Sequence, residues 1–556
     1  MKCQALYDIL VKNGQIADGT GNLRFSSDIG IKDGKIGGMG LLDTADAVKV
    51  IDAKRLVVSP GFIEVHSHSD LNYMVDPNAQ SFVRQGVTTE IAGNCGNSGA
   101  PITEVSRNLM RERFQAWMPY VGLNWSSFGE YLALMERKGS AVNLGFLVGH
   151  GTIRIAVMGY ETRAASKNEL EIMKNLLAKS MEEGAFGMST GLVYHPGTYA
   201  DTNELIELCR IVAKYGGVYS THKRGQGDEF IEATKEAIEI GEESGVRVQI
   251  SHHAPNMTKW GKNQETIEMI ETAQKRGVEV LADKHGYTYG SGNLLTVFPP
   301  WFRMQTIEKQ IQGLRDPEIR ARIKKEAAGG LDWPRVTPAL LARAGKWSGL
   351  VIMGGKNKDF IGKNVEEISK STRKDPYDVI FDLMIENNMS VRTVNTNYDE
   401  EDLRNGYRSW IMMISADASA FSPSGPLKEI TEIGQHAKLY GTFPQIFRKY
   451  VRGENRKDLP WESEGAKILT LEEAVRKMTS LPAQMLRLMD RGMIRPGMAA
   501  DIVIFDPEKI ADRSTYADPY VYPAGISYVI VNGKIAVEQG EYSGVPTGKI
   551  LRFRRD

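Results

Sequence analysis

Two histidines separated by one residue, His66 and His68, follow an apolar run near the start of the chain. Side chains at positions i and i+2 of a strand point to the same face, so both imidazoles would converge beyond the strand's carboxyl end. That convergence is typical of a metal site. For an isolated His-x-His motif, the alternative is a pair of buried histidines that bond to backbone groups. The remainder of the chain decides between these interpretations.

Further potential ligands follow other predicted strands in the same way: Cys95, His222, His252 and Asp417. The carboxyl ends of all strands of a (β/α)8 barrel surround one mouth, so residues far apart in sequence would meet at one site. Imidazole, thiolate and carboxylate groups suit zinc better than calcium or magnesium, which prefer oxygen ligands. A hydrolytic metal site also needs a base to move protons, and Asp417 is the candidate. Together these residues predict a zinc site.

The elements that must position these residues alternate between short β-type runs and helical stretches, as in a parallel sheet with crossover helices. Besides the strand before His66, seven runs are candidate strands: residues 88–92, 143–148, 217–221, 246–251, 278–282, 391–394 and 411–415. Eight strands are the number that a closed barrel needs. The predicted fold is therefore α/β, with a (β/α)8 TIM-like barrel over residues 60–485.

Both ends of the chain are β-rich, and neither is large enough to form a stable unit alone. We expect residues 1–59 and 486–556 to pack together into one small β-sandwich domain. Residues 299–347 interrupt the barrel pattern with helical sequence that contains Trp301 and is too long for a normal crossover. This segment is predicted to be a helical insertion, either a lid beside the site or a surface elaboration.

Composition excludes several classes of partner. The 556 residues carry 69 basic and 69 acidic side chains, so charge gives no reason to expect nucleic acid or a membrane as partner. No apolar stretch is long enough to span a bilayer, and the first residues predict no signal peptide. Three thinly spread cysteines argue for a reducing compartment, which predicts a cytoplasmic protein. The sequence leaves the oligomeric state open.

Several motifs are spread along the chain, at residues 60–70, 86–89, 93–96, 148–154, 189–194, 221–222, 250–253, 440–444 and 492–503. In these motifs the chain resembles a known family, the N-acyl-D-amino acid deacylases (D-aminoacylases) of the amidohydrolase superfamily. The resemblance covers nearly the whole chain. It implies a barrel with a small β domain from both termini, and zinc-dependent hydrolysis of the amide bond of N-acyl-D-amino acids or close analogues.

The resemblance also implies roles for individual residues. Cys95, His222 and His252 would hold a tighter zinc, and His66 and His68 would share Cys95 in a second, weaker position. Asp417 matches the family's catalytic aspartate, the general acid and base for a metal-activated water that attacks the acyl carbonyl.

Positions that bind the substrate in the family differ in this chain. His285 stands where the family has a tyrosine, Lys438 where it has an arginine, and Ala254 where it has a lysine, whereas Ser291 keeps a polar family position. A lysine is a point charge where an arginine would offer a bidentate fork. We therefore expect a nonstandard acyl-amino acid or amide as substrate, with His285, Ser291 and Lys438 among its contacts.

One further histidine, His150, has two open interpretations, polarisation of a substrate group or a structural role. Two other functions also stay open at this stage. One is hydrolysis of cyclic amides, as in hydantoinases and dihydroorotases, although Cys95 stands where such enzymes usually carry a bridging lysine. The other is a metal-free barrel that serves as a binding module, which would have no reason to retain six potential ligands.

Overall fold

The computed structural model describes residues 6–303, 305–329, 337–430, 436–456, 458–459, 462–516 and 518–554. Its strands are β1 (Tyr7–Ile16), β2 (Phe25–Lys32), β3 (Lys35–Gly40), β4 (Ala47–Asp52), β5 (Val57–Pro60), β6 (Phe62–Glu64), β7 (Val87–Ala92), β8 (Asn143–Phe146), β9 (Val148–Gly149), β10 (Gly187–Gly191), β11 (Val218–His222), β12 (Arg247–Ile250), β13 (Val280–Lys284), β14 (Tyr289–Asn293), β15 (Leu350–Ile352), β16 (Arg392–Thr396), β17 (Met412–Ile414), β18 (Ile502–Phe505), β19 (Ile526–Val531), β20 (Lys534–Glu538) and β21 (Glu541–Tyr542).

The α-helices lie mainly between the strands of the barrel and in one insertion. They are α1 (Asn72–Val75), α2 (Glu104–Arg113), α3 (Phe128–Lys138), α4 (His150–Met158), α5 (Lys167–Glu182), α6 (Thr202–Tyr215), α7 (Phe230–Ser244), α8 (Asn263–Lys275), α9 (Pro300–Arg303), α10 (Ile307–Arg315), α11 (Pro317–Gly329), α12 (Thr337–Arg343), α13 (Val365–Thr372), α14 (Pro376–Glu386), α15 (Glu400–Arg408), α16 (Pro426–Ile430), α17 (Lys438–Ile446), α18 (Leu471–Met478) and α19 (Ser480–Leu486). Several of these helices start with a capping box, in which Ser127 is the N-cap residue of α3 and Ser166 that of α5.

The centre of the molecule is the predicted (β/α)8 barrel. Parallel pairing runs from β6 through β7 to β8, continues after Leu147 from β9 through β10, β11, β12 and β13, and reaches β17. The two ends of this series meet in a parallel bridge between Ser67 and Ala418. The strands are almost entirely buried, as expected for parallel strands covered by helices. This arrangement brings the carboxyl ends of all the barrel strands to one mouth.

Both ends of the chain contribute to one nine-stranded sheet. Strand β5 from the first part of the chain pairs antiparallel with β18 from the last part, and β1 lies between β5 and β2. An apolar core covers these strands and includes Ile9, Ile29 and Ile502. The sheet sits directly before β6, so β5 leads the chain from it into the barrel.

The prediction of one barrel strand was wrong. Of the predicted run 391–394, residues 392–394 belong to β16, which pairs antiparallel with β14 and β15 in a separate three-stranded sheet. The barrel strand that the sequence did not reveal is β10, with the small-residue sequence Gly-Met-Ser-Thr-Gly. Gly187, the first residue of β10, must be a glycine, because a Cβ at this position would lie 1.9 Å from the Val218 carbonyl oxygen. Small residues have low β propensity, so β10 is hard to recognise in the sequence. A run of apolar β-branched residues predicts a strand but does not show which sheet the strand joins.

The insertion between β13 and β17 is larger than the predicted segment 299–347. It includes the sheet β14–β16 and helices α9–α14, and apolar residues from Leu294 to Val391 form its own core. Trp301 packs within this unit, where its indole N–H donates to Glu326 over 2.6 Å. The insertion ends at β16, which delivers Tyr398 to the barrel mouth. Within the described residues, no helix has both the length and the apolar character needed to cross a bilayer.

Candidate metal centre

The predicted ligands converge around the thiol of Cys95. Its Sγ lies 3.3 Å from His66 Nε2, 3.6 Å from His222 Nδ1 and 3.9 Å from His252 Nε2. His222 Nδ1 and His252 Nε2 are themselves 2.8 Å apart. Cys95 and His66 are buried, so four donor atoms face one another in a small space with little access to water. The barrel therefore brings together residues that are widely separated in the sequence.

The second group of predicted residues borders the first. His68 Nε2 lies 3.2 Å from Asp417 Oδ1, and His66 Nε2 lies 3.5 Å from the same oxygen. The other carboxylate oxygen, Oδ2, accepts a hydrogen bond of 2.9 Å from Lys438 Nζ. Asp417 therefore lies beside His66 and His68 and keeps one oxygen directed at them.

The electrostatics of the cluster favour the metal-binding forms of Cys95 and His252. Burial opposes the thiolate, but the charge of His66 and hydrogen bonds from His222 and His252 hold the pKa of Cys95 well below its usual range. Burial, together with the neighbouring His222, lowers the pKa of His252 to about 4. A thiolate and a neutral imidazole are the forms that ligate metals.

Asp417 is ionised for a related reason. Burial opposes its charge, but Lys438 and His68 hold its pKa well below the usual range. Burial likewise opposes the charge of His68, but Asp417 and Cys95 raise the pKa of His68 to about 9. Without a cation, Asp417, His68 and Cys95 would share protons. A divalent ion bound in the cluster would displace those protons.

The backbone turns sharply at three of these residues. Cys95, His252 and Asp417 have φ values of 52°, 37° and 49°, in the left-handed region that non-glycine residues rarely adopt. Gly93 and Gly96 flank Cys95, and a Cβ on either would meet backbone at 2.2 Å and 2.7 Å. Strained conformations of this kind concentrate at functional sites.

One supporting residue was not predicted. Asp283 is fully buried at the end of β13, and its Oδ1 lies 3.2 Å from His66 Nδ1. The same oxygen accepts hydrogen bonds from the His252 backbone N–H over 3.0 Å and from the Ser415 hydroxyl over 2.7 Å. Its position after the predicted strand 278–282 was the available signal. Asp283 orients His66 and fixes the backbone of His252, as carboxylates behind metal-binding histidines commonly do.

A second supporting residue, Gln226, was also missed. Its side-chain amide lies 2.5 Å from His252 Nδ1, the nitrogen that points away from Cys95. Since the amide oxygen and nitrogen can exchange places, this contact holds the His252 ring with Nε2 directed into the cluster. Gln226 follows β11 in a loop with no pattern that singles it out in the sequence.

The donor set fits a zinc ion. His66, Cys95 and His252 each offer one ligand atom, and these atoms lie within 4.8 Å of one another, as do those of His66, His68 and Asp417. A thiolate and imidazoles are the ligands that zinc prefers, and the same combination does not suit calcium or magnesium.

The predicted substrate-binding residues are distributed differently. Lys438 reaches the site but bonds to Asp417. His285 is buried beside it, with its Nδ1 accepting from the Tyr287 backbone N–H over 3.3 Å. Ser291 lies in β14, and its side chain falls outside the described part of the chain.

His150 has its described contacts elsewhere. It begins α4, and its Nε2 lies 2.8 Å from Glu204 Oε1 in a buried group that includes Arg154. Among the described residues it makes no contact with the Cys95 cluster.

A thiolate, several imidazoles and a carboxylate at the mouth of a (β/α)8 barrel define the class of metal-dependent barrel hydrolases. Within that class, the chain belongs to the Amidohydrolase family, whose model matches residues 49–348 and 446–537. It is 30% identical to N-acyl-D-glutamate deacylase of Alcaligenes xylosoxydans xylosoxydans over 550 residues, 99% of this chain and 97% of the relative.

Two solved structures extend this similarity. The first is a D-aminoacylase with a binuclear metal centre. It matches with 30% identity and a TM-score of 0.74, over 98% of this chain and 100% of that chain. N-acyl-D-glutamate deacylase from Bordetella bronchiseptica, complexed with zinc and a phosphonate that mimics the tetrahedral intermediate, matches with 27% identity and a TM-score of 0.74. That match covers 98% of this chain and 100% of that chain.

Proposed function

We propose that the protein is a zinc-dependent hydrolase of the amide bond of N-acyl-D-amino acids or close analogues. The observation that carries this proposal is the convergence of Cys95 with three histidines and Asp417 at the barrel mouth. Full-length relatives described as deacylases of N-acyl-D-amino acids support the substrate class. The substrate is accordingly a small molecule rather than a macromolecule.

Cys95, His222 and His252 would hold the tighter zinc, and His66 and His68 would contribute to a second, weaker position next to Cys95. A zinc ion bound there supplies a Lewis acid for the acyl carbonyl and for water. The binuclear centre named for one relative supports two positions. We propose about one zinc per chain at ordinary metal concentrations.

Proton transfer falls to Asp417. Its Oδ1 faces the histidine cluster, while its Oδ2 is held by Lys438. Asp417 would take a proton from the water that attacks the acyl carbonyl and deliver it to the amine nitrogen. The C–N bond then breaks, which releases a carboxylic acid and the free amino acid.

The other candidate functions have less support. Cyclic-amide hydrolysis is not favoured, because the full-length relatives at 30% identity are deacylases of linear amides by name. A silent binding module gives no reason for an ionised carboxylate, a low-pKa thiol and several histidines to meet in one place.

We propose a cytoplasmic location because of the state of the cysteines. Of the cysteines in the described residues, Cys95 and Cys209 are both free and buried, which suits a reducing compartment.

The test is a hydrolysis screen of zinc-loaded protein with paired D and L N-acyl amino acids and a hydantoin. We expect release of free amino acid from D compounds and loss of that activity in Asp417→Asn. Preferential hydrolysis of L compounds or of the hydantoin, or no hydrolysis at all, would contradict the proposal.

A further inference from the structure

A buried lysine beside the metal centre has no hydrogen-bond acceptor. Lys284 is the last residue of β13 and only 1% exposed, and its Nζ makes no hydrogen bond within the described part of the chain. Its closest described partner is the face of the Tyr398 ring, with Nζ 3.2 Å from the ring centroid. Because an uncompensated buried ammonium is costly, an anion that reaches Lys284 would gain a strong interaction.

The contacts around Lys284 link it to the metal centre. Tyr398, which covers it, donates its hydroxyl to Gln226 over 3.4 Å, and Gln226 contacts His252. Burial lowers the pKa of Lys284 well below its usual range; the charge of Asp417 opposes that shift and the charge of Lys438 adds to it, so a bound anion would favour the ammonium form. Lys284 is therefore separated from the metal ligands by two side chains and shares its environment with the proposed base.

The other lysine of this region, Lys438, already forms an ion pair. Lys438 was the expected carboxylate-binding cation, but its Nζ lies 2.9 Å from Asp417 Oδ2. An ammonium has three N–H donors, but a substrate carboxylate at Lys438 would share the charge of this lysine with the base. Lys284 has no such competing partner among the described residues.

We propose that Lys284 binds the carboxylate of the substrate and determines the preference of the site for acids over neutral amides. This inference rests on the proposed function for the identity of the acid. A single ammonium against an aromatic face provides one charge-assisted hydrogen bond rather than a bidentate clamp. Lys438 is then left to position Asp417.

A second buried lysine provides a matched control. Lys223 follows His222 at the end of β11 as Lys284 follows Asp283 in β13, and it is 2% exposed. Its Nζ is satisfied, because it donates to Thr234 Oγ1 over 2.9 Å and lies 3.2 Å from His253 Nδ1. Replacing Lys223 removes a buried lysine from β11, which is separated from β13 by β12, and leaves Lys284 in place.

The experiment measures binding of acids and their neutral amides to zinc-loaded protein by calorimetry. N-methylsulfonyl derivatives of D-leucine, D-glutamine and D-phenylalanine serve as probes, because the sulfonamide is not hydrolysed, and each is compared with its own carboxamide. For the tightest acid, we expect the wild type to prefer the acid roughly ten- to hundredfold. Lys284→Met should reduce that preference to about twofold or less, and Lys223→Met should keep it.

Lys284→Gln provides a second variant of similar size, and thermal melting shows which variants are folded. A preference that survives in a folded Lys284 variant overturns the inference, as does a wild type without preference or without measurable binding of any acid. Hydrolysis assays on the same preparations separate the two proposals. Lys284-dependent preference without hydrolysis of any acyl amino acid would leave the inference standing and reject the proposed function, and the reverse pattern would do the opposite.

Discussion

The two sides of the site are built in different ways. The ligand cluster, comprising His66, His68, Cys95, His222 and His252, comes entirely from residues at or just beyond the carboxyl ends of barrel strands. The recognition wall, comprising Lys284, His285, Tyr398, His436 and Lys438, draws on one barrel strand, the end of the insertion and the start of α17. The cluster is thus fixed by the barrel itself, whereas the wall depends on how added segments pack against it.

This difference explains how hydrolytic chemistry and substrate choice can vary separately. Asp283, Gln226 and backbone groups hold the ligand cluster, and the hydrogen bond from Tyr398 to Gln226 links that cluster to the insertion. In the wall, Tyr398 comes from the insertion and His436 bonds to Tyr289 O over 2.7 Å in its first strand, β14. Changes in the insertion that keep Tyr398 in place would therefore alter recognition and leave the metal site intact.

The largest effect is expected from removing the centre of the ligand cluster. Cys95→Ala deletes the thiolate shared by both proposed metal positions, so the variant should lose its tightly bound zinc and all measurable turnover. Elemental analysis after gel filtration measures the metal, with Cys209→Ala as a control that keeps it. Full zinc content in folded Cys95→Ala would remove Cys95 from the ligand set.

Asp417→Asn separates metal binding from proton transfer. The variant should keep the tight zinc but lower kcat by roughly two to four orders of magnitude, the usual contribution of general acid-base catalysis. Steady-state kinetics with zinc-loaded protein measures the change. Turnover close to that of the wild type would exclude Asp417 as the base.

Glu204→Gln tests whether His150 belongs to the wall or to a structural group. Burial opposes the charge of Glu204, but His150 and Arg154 lower its pKa to about 2 from an ordinary 4.5. Since the folded pKa is the lower one, this stabilisation is present above about pH 4.5 and is lost as the pH falls towards 2. Its full value at pH 7 is about 3 kcal/mol.

Urea unfolding of wild type and Glu204→Gln measures this effect. The difference in unfolding free energy should shrink between pH 6 and pH 3, while KM at pH 7 should stay unchanged. A large rise in KM without loss of stability would instead support a substrate role for His150.

The smallest effect is expected from Lys438→Met. Because Lys438 holds Asp417, kcat should fall by about tenfold, the value of one charge-assisted hydrogen bond, with KM for acids changed by less than about threefold. Lys438→Arg should recover most of kcat. A rise in KM that affects acids and spares their carboxamides would make Lys438 the carboxylate ligand, and would move that role away from Lys284.

The sequence alone determined the class of fold and predicted most of the residues that meet in the ligand cluster, whose roles as metal ligands stay a prediction. Strand periodicity and apolar runs are local properties of the chain, so they are sufficient to place His66, His222 and His252 at strand ends. The barrel rule then brings those ends together. The division into a terminal β domain and a barrel over residues 60–485 stays a prediction, as do the cytoplasmic location and the metal stoichiometry.

Only the tertiary structure decided which strands form the barrel and which cations are free. Residues 391–394 have a β pattern that is equally suited to an antiparallel sheet, and the glycine-rich β10 has almost none, so local signals misassigned both. Likewise, no spacing in the sequence reveals that Lys438 bonds to Asp417 while Lys284 has no acceptor among the residues that the structure describes. Such pairings depend on contacts between segments far apart in the chain, and these contacts exist only once the barrel, the insertion and α17 have packed together.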